Sequence, residues 1–135
     1  MATQQVFPIT ERFRHDESVI IKRYLAGDTN RSQMAAYAVQ VWADELRDGG
    51  KVNADDLRRY IHDYMSAIYM DETAAPKKSI YIRPETDANV DEIGRALDAV
   101  DAFVVPGIFL RSKSGYSRSF IVALAMRKLA EAAAA

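Results

Sequence analysis

Residues 114–120 read Ser-Gly-Tyr-Ser-Arg-Ser-Phe and run straight into an apolar, helix-forming stretch. Serine hydroxyls, a guanidinium and the unsatisfied N–H groups of a helix start together make anion-binding chemistry, and phosphate is its natural occupant. Ser117, Arg118 and Ser119 are the candidate contacts. The pair Arg118-Ser119 has a counterpart at Arg31-Ser32, which also opens an alanine-rich amphipathic run. Two such helix starts suggest two phosphate clamps, on a small substrate or along a nucleic-acid backbone.

Several chemistries are excluded or disfavoured. The 135-residue chain contains no cysteine, so disulfides, thiolate metal sites and cysteine nucleophiles are out. His15 and His62 are far apart in polar surroundings and read as surface residues, not as metal ligands. No glycine-rich nucleotide loop and no metal-ligand spacing occurs, so no cofactor is expected. The acids Asp87, Asp91 and Glu92 read as partners of a helix dipole, not as a catalytic pair. The apolar content of 49% and charged content of 27% suit a soluble, cytoplasmic, non-enzymatic domain without membrane association.

The net charge of −1 is unevenly distributed. Residues 53–76 are acidic, whereas 102–130 carry Arg111, Lys113, Arg118, Arg127 and Lys128 and no acid. A local basic face on a near-neutral protein is therefore allowed.

The elements that must position these groups follow from periodicity. Residues 4–10 read as a strand, and 16–27 as a helix capped by Asp16 and stopped at Gly27. Residues 32–50 read as a second helix closed by Gly49-Gly50, and 53–70 as a third, capped by Asn53. The run Lys-Lys-Ser-Ile-Tyr-Ile-Arg-Pro-Glu, 77–85, is the clearest strand, with Ile80 and Ile82 alternating against Ser79, Tyr81 and Arg83. A helix over 89–103 with Asn89 as cap, an irregular or briefly extended piece over 104–115, and a last helix over 116–132 complete the chain. Strand, helix, helix thus occurs twice, with some fourteen extra residues near 102–115 in the second copy.

A strand and two helices cannot bury their apolar faces alone, but two copies can pair their strands antiparallel over four helices. Phe7, Ile9, Ile80 and Ile82 would then face inward. Pro8, Thr10, Ser79, Tyr81 and Arg83 would face outward, with Lys77 and Lys78 leading into the second strand. The expected fold class is mostly α with a two-stranded antiparallel ribbon. Its units would be 1–52 and 77–135, joined by a connecting helix and linker over 53–76. Such a ribbon fits the major groove of duplex DNA, with the two Arg-Ser helix starts gripping phosphates on either side.

The stretches 77–97 and 30–46 resemble the ribbon-helix-helix family of DNA-binding proteins. The resemblance extends over nearly the whole chain apart from 53–76. It is strongest for single-chain tandem pseudodimers that serve as accessory factors of T-DNA or conjugal transfer. It implies sequence-selective binding of double-stranded DNA in transfer, plasmid maintenance or transcriptional repression, with other transfer or partition proteins as further partners. It also implies base-reading roles for Thr10, Ser79, Tyr81 and Arg83, and phosphate contacts for Ser32 and Ser119. The first strand departs from the pattern, because Val6, Pro8 and Thr10 offer poor reading chemistry, so the two half-sites would be read unequally.

Two rival readings remain. The run from Arg111 to Ser119 also resembles the phosphate loop of dual-specificity phosphatases, with Ser112 where that loop has its cysteine. A serine without a nearby base is a weak nucleophile, so this resemblance implies at most a catalytically dead phosphate binder. The other rival is a helical interaction module that uses Tyr60, Tyr64 and Tyr69, although such tyrosines more commonly cover a core, as Trp42 and the methionines do.

Overall fold

In a computed structural model of the chain, the residues described are 3–25, 27–53, 55–60, 62–63, 77–99, 111–112, 115–116 and 118–134. Strand β1 (Thr3–Pro8) turns directly into helix α1 (Glu11–Tyr24). The switch is made by Thr10, whose hydroxyl accepts the backbone N–H of Phe13 at 3.0 Å and so caps the helix. Helix α2 (Arg31–Arg47) opens on a full capping box between Asn30 and Gln33. It closes on Gly49, whose φ of 90° only a glycine adopts without strain. Gly49 N–H bonds to Leu46 and Gly50 N–H to Glu45, the paired 5→2 and 6→1 bonds of a Schellman stop.

Residues 55–60 are helical, with the Asn53 side chain accepting from Asp56 N–H at 3.0 Å, as the sequence predicts. Strand β2 (Lys77–Ile82) leads into helix α3 (Pro84–Ala99). Proline supplies its pre-set φ at the first helical position, and Glu85 and Asp87 lie on the positive end of the dipole. Strands β3 (Arg111–Ser112) and β4 (Gly115–Tyr116) then precede helix α4 (Arg118–Ala134).

β1 and β2 pair antiparallel, Thr3 opposite Ile82 through Pro8 opposite Lys77. Ile80 and Ile82 are buried beneath the pair, while Ser79, Tyr81 and Arg83 lie on the exposed face. Burying each isoleucine stabilises the fold by about 1.5–3 kcal/mol. Ile9 is buried too, and the side chain of Phe7 lies outside the described residues.

The helices interlock across the two halves. α1 packs chiefly on α4 and α2 on both α3 and α4, whereas α1 meets α2 sparsely. The buried core includes Phe13, Ile20, Trp42, Ile93, Leu97, Phe120, Ile121 and Leu124, contributed by all four helices.

The fold class expected from the sequence is corrected. The sequence predicts a tandem ribbon-helix-helix pseudodimer with one sheet; the structure has two separate two-stranded sheets among the described residues. The second, β3 with β4, falls where the sequence reading has an irregular or briefly extended piece to 115 and a helix from 116; segments of two residues are too short to show any alternation, and the helix begins at Arg118. Four helices of 14, 17, 16 and 17 residues dominate, and the two halves are unequal.

Element bounds shift as well. α1 begins at Glu11, not at Asp16, and α3 at Pro84, not at Asn89. In both, the sequence reading starts the helix at an interior polar residue and misses the Thr10 cap and the proline start. Asp16 and Asn89 are instead buried inside their helices.

Candidate nucleic-acid interface

The exposed face of β2 is built by alternation. With Ile80 and Ile82 held in the core, pleating turns Ser79 and Tyr81 to solvent, and Arg83 follows at the strand end. Tyr81 is 58% exposed, large for an aromatic ring. Lys78 and Arg83 are exposed, and neither has an ion-pair partner among the described residues. The side chain of Lys77 lies outside the described residues.

Ser32, in the first turn of α2, accepts the backbone N–H of Tyr81 at 3.0 Å. This bond fastens the start of α2 to β2, so the strand face and the helix start form one surface. Asn30, Ser32, Gln33, Ala36, Tyr81, Arg83 and Thr86 line a groove of about 450 Å³ there. The sequence reading assigns Ser32 to a phosphate; its hydroxyl oxygen is already used as an acceptor, with the O–H proton left to donate.

Three expected contacts are placed differently. Thr10 is only 6% exposed and serves as the α1 cap, so it is no base reader. Arg31 grips Glu17 with two bonds, Nε to Oε2 at 2.7 Å and Nη2 to Oε1 at 3.0 Å. Arg118 lies with Nε 2.6 Å from Asp87 Oδ1, and with Nη1 and Nη2 2.9 Å from Asp91 Oδ1. Hydrogen bonding to Asp91, reinforced by Asp87, raises the affinity of the Arg118 guanidinium for its proton above the usual arginine value. Each Arg-Ser arginine therefore ties together the two helices of its own half.

The same commitment weakens a phosphate-loop role for Arg118, since its donors already face carboxylates. It also corrects the reading of Asp87 and Asp91, which do more than complement a dipole. Glu92 likewise pairs with Arg47 at 2.6 Å, bridging α2 and α3. Ser117, Tyr64 and Tyr69 lie outside the described residues, as does the side chain of Ser119. Tyr60 is buried and belongs to the core.

The sequence reading missed one polar feature altogether. Asp16 Oδ1 meets Arg127 Nη1 at 2.8 Å, with side-chain exposures of only 4% and 10%. Burial pushes the Asp16 carboxyl up to about 6, against the opposing pull of Arg127. A helical spacing signal existed: Asp16 falls four residues before Ile20, on the apolar stripe of α1.

No family model, curated protein or solved structure matches the chain. Among the described residues, no group of three His, Cys, Asp or Glu side chains could hold a metal, and no helix is long and apolar enough to cross a membrane.

Proposed function

We propose that the protein binds double-stranded DNA by laying the β1–β2 ribbon in the major groove. The observation that carries this reading is the exposed row Ser79, Tyr81 and Arg83 on a two-stranded ribbon fixed to a helix start. A two-stranded ribbon has the width the major groove admits. Arg83, with no carboxylate partner among the described residues, has its fork of donors available for a guanine edge. The resemblance of 77–97 and 30–46 to ribbon-helix-helix proteins supports the same choice of ligand. Lys78 and the Ser32 hydroxyl serve as backbone contacts, and Arg31 and Arg118 set the helix positions from behind.

Selection of bound fragments from a random duplex pool, followed by anisotropy titration, tests the reading. Arg83→Ala is expected to cost about 1–3 kcal/mol on the selected site and to relax preference at one base position. A uniform loss on every duplex would reduce Arg83 to a phosphate contact. No binding at low salt would end the DNA reading.

A further inference from the structure

The groove beside β2 lies where two helices begin. Asn30, Ser32 and Gln33 belong to the start of α2. Arg83 and Thr86 belong to the start of α3, where Asp87 N–H bonds to the Arg83 carbonyl. Two positive dipole ends therefore meet at one cavity of about 450 Å³. Among the described residues, no carboxylate lines it.

Hydrogen bonds within the walls engage the acceptors and leave the donors. Asn30 Oδ1 accepts Gln33 N–H, Gln33 Oε1 accepts Asn30 N–H, and Ser32 Oγ accepts Tyr81 N–H. What remains is the NH₂ groups of Asn30 and Gln33, the Ser32 O–H and the Arg83 guanidinium. Thr86 is a separate sign of a ligand. It is only 8% exposed yet lines the groove, and its hydroxyl has no hydrogen-bond partner among the described residues. A buried hydroxyl left unmatched costs stability unless an occupant of the cavity matches it.

Donors without free acceptors select an anion. A bare phosphate would fill only a fraction of the cavity, whose volume falls in the range of about 300–1,000 Å³ of small-molecule sites. Tyr81, 58% exposed, supplies a ring face at the wall on which a planar group can stack. We propose that the groove binds a free phosphomonoester carrying a planar ring, of nucleoside-monophosphate size, with the phosphate between the two helix starts and the ring against Tyr81. The site needs no DNA. Its regulatory consequence rests on the DNA reading: Tyr81 and Arg83 cannot serve a base edge and this ligand at once, so occupancy releases the duplex.

Adenosine 5′-monophosphate, adenosine, ribose 5-phosphate and inorganic phosphate are titrated into the nitrogen-15-labelled full chain, with calorimetry and amide shifts as readouts. The monophosphate is expected to bind at least tenfold more tightly than each of the other three, with shifts centred on Ser32, Gln33 and Thr86. Thr86→Val keeps the side-chain shape and should weaken binding at least fivefold. Tyr81→Ala should bring the monophosphate to the level of ribose 5-phosphate. No monophosphate binding, equal binding of any of the other three, or unchanged affinity in folded Thr86→Val overturns the proposal. Shifts centred on 111–119 overturn it too, by giving the anion to the other Arg-Ser run. Selectivity among the four ligands on the wild type decides the matter even where a variant fails to fold.

Competition is read by anisotropy of a labelled duplex at fixed ionic strength. At ten times its dissociation constant, the monophosphate should weaken duplex binding about tenfold. Unchanged duplex binding with the groove occupied overturns the competition. Monophosphate binding by a chain that binds no duplex upholds the site and ends the DNA reading instead.

Discussion

Replacing Thr10 by valine removes one oxygen and keeps the shape of the side chain. That oxygen accepts the Phe13 N–H at 3.0 Å in a site where Thr10 is 6% exposed. Water cannot readily replace it, so the donor is left unsatisfied near the core. Loss of an N-cap costs about 0.5–2 kcal/mol, and a buried orphan donor puts the cost near the upper half of that range, about 1.5 kcal/mol. For a chain of this size that lowers Tm by roughly 5 °C. Thr10→Ser makes the complementary change, keeping the oxygen and removing a buried methyl, at about 0.8 kcal/mol. Urea denaturation monitored by circular dichroism gives both values. DNA titration at 10 °C, where both variants are folded, should give wild-type affinity for each. If Thr10→Ser proves as costly as Thr10→Val, the cap is not what Thr10 contributes. If folded Thr10→Val loses more than tenfold in affinity, Thr10 belongs to the interface after all.

Gly94 lies inside α3, and a methyl there would meet Ile121 Cδ1 at 3.5 Å, an ordinary contact. Gly94→Ala should therefore stabilise the fold by about 0.5–1 kcal/mol in the same denaturation assay. Gly49→Ala should do the reverse, destabilising by about 1 kcal/mol or more, because its φ of 90° ends α2. Asp16 supplies a pH signature of the less usual sign. Its folded value, about 6, lies above the ordinary aspartate value of 3.8, so the folded state holds the proton more tightly than the unfolded one. Its contribution to stability is present below about pH 4 and is lost as pH rises through 6. Denaturation from pH 4 to 7 should show this slope in the wild type and a flatter profile in Asp16→Asn/Arg127→Gln; identical slopes would contradict it. Arg31→Met should cost folding stability by unpairing Glu17, while leaving the base preference of the folded protein unchanged in fragment selection.

What the sequence made legible depended on whether a local pattern decided the outcome. Alternation at Ile80 and Ile82 placed Ser79, Tyr81 and Arg83 on the outer face because a pleated strand leaves no choice. Gly49-Gly50 marked the end of α2 because only glycine tolerates that turn. Helix starts were less readable: Asp16 and Asn89 look like caps, yet each lies inside its helix and bonds a residue far along the chain, Asp16 to Arg127 and Asn89 to Gln40. Type and position mark Arg31 and Arg118 as anion receptors. Glu17, Asp87 and Asp91 capture them first, and nothing in local spacing announces a bond formed between helices. The hairpin of β3 and β4 shows in the sequence only as an irregular or briefly extended piece, since two-residue strands carry no period.

The register of β1 against β2 also sets a timetable for synthesis. Thr3 cannot meet Ile82 until nearly eighty residues have been made. At roughly 5–20 residues per second, the first strand waits several seconds with its hydrogen-bonding edge open. α1 is in the same position, because its main packing surface, α4, is made only after α2, β2 and α3. The stage between β1 and β2 is thus the one most exposed to aggregation, and the core closes only once α4 has been made.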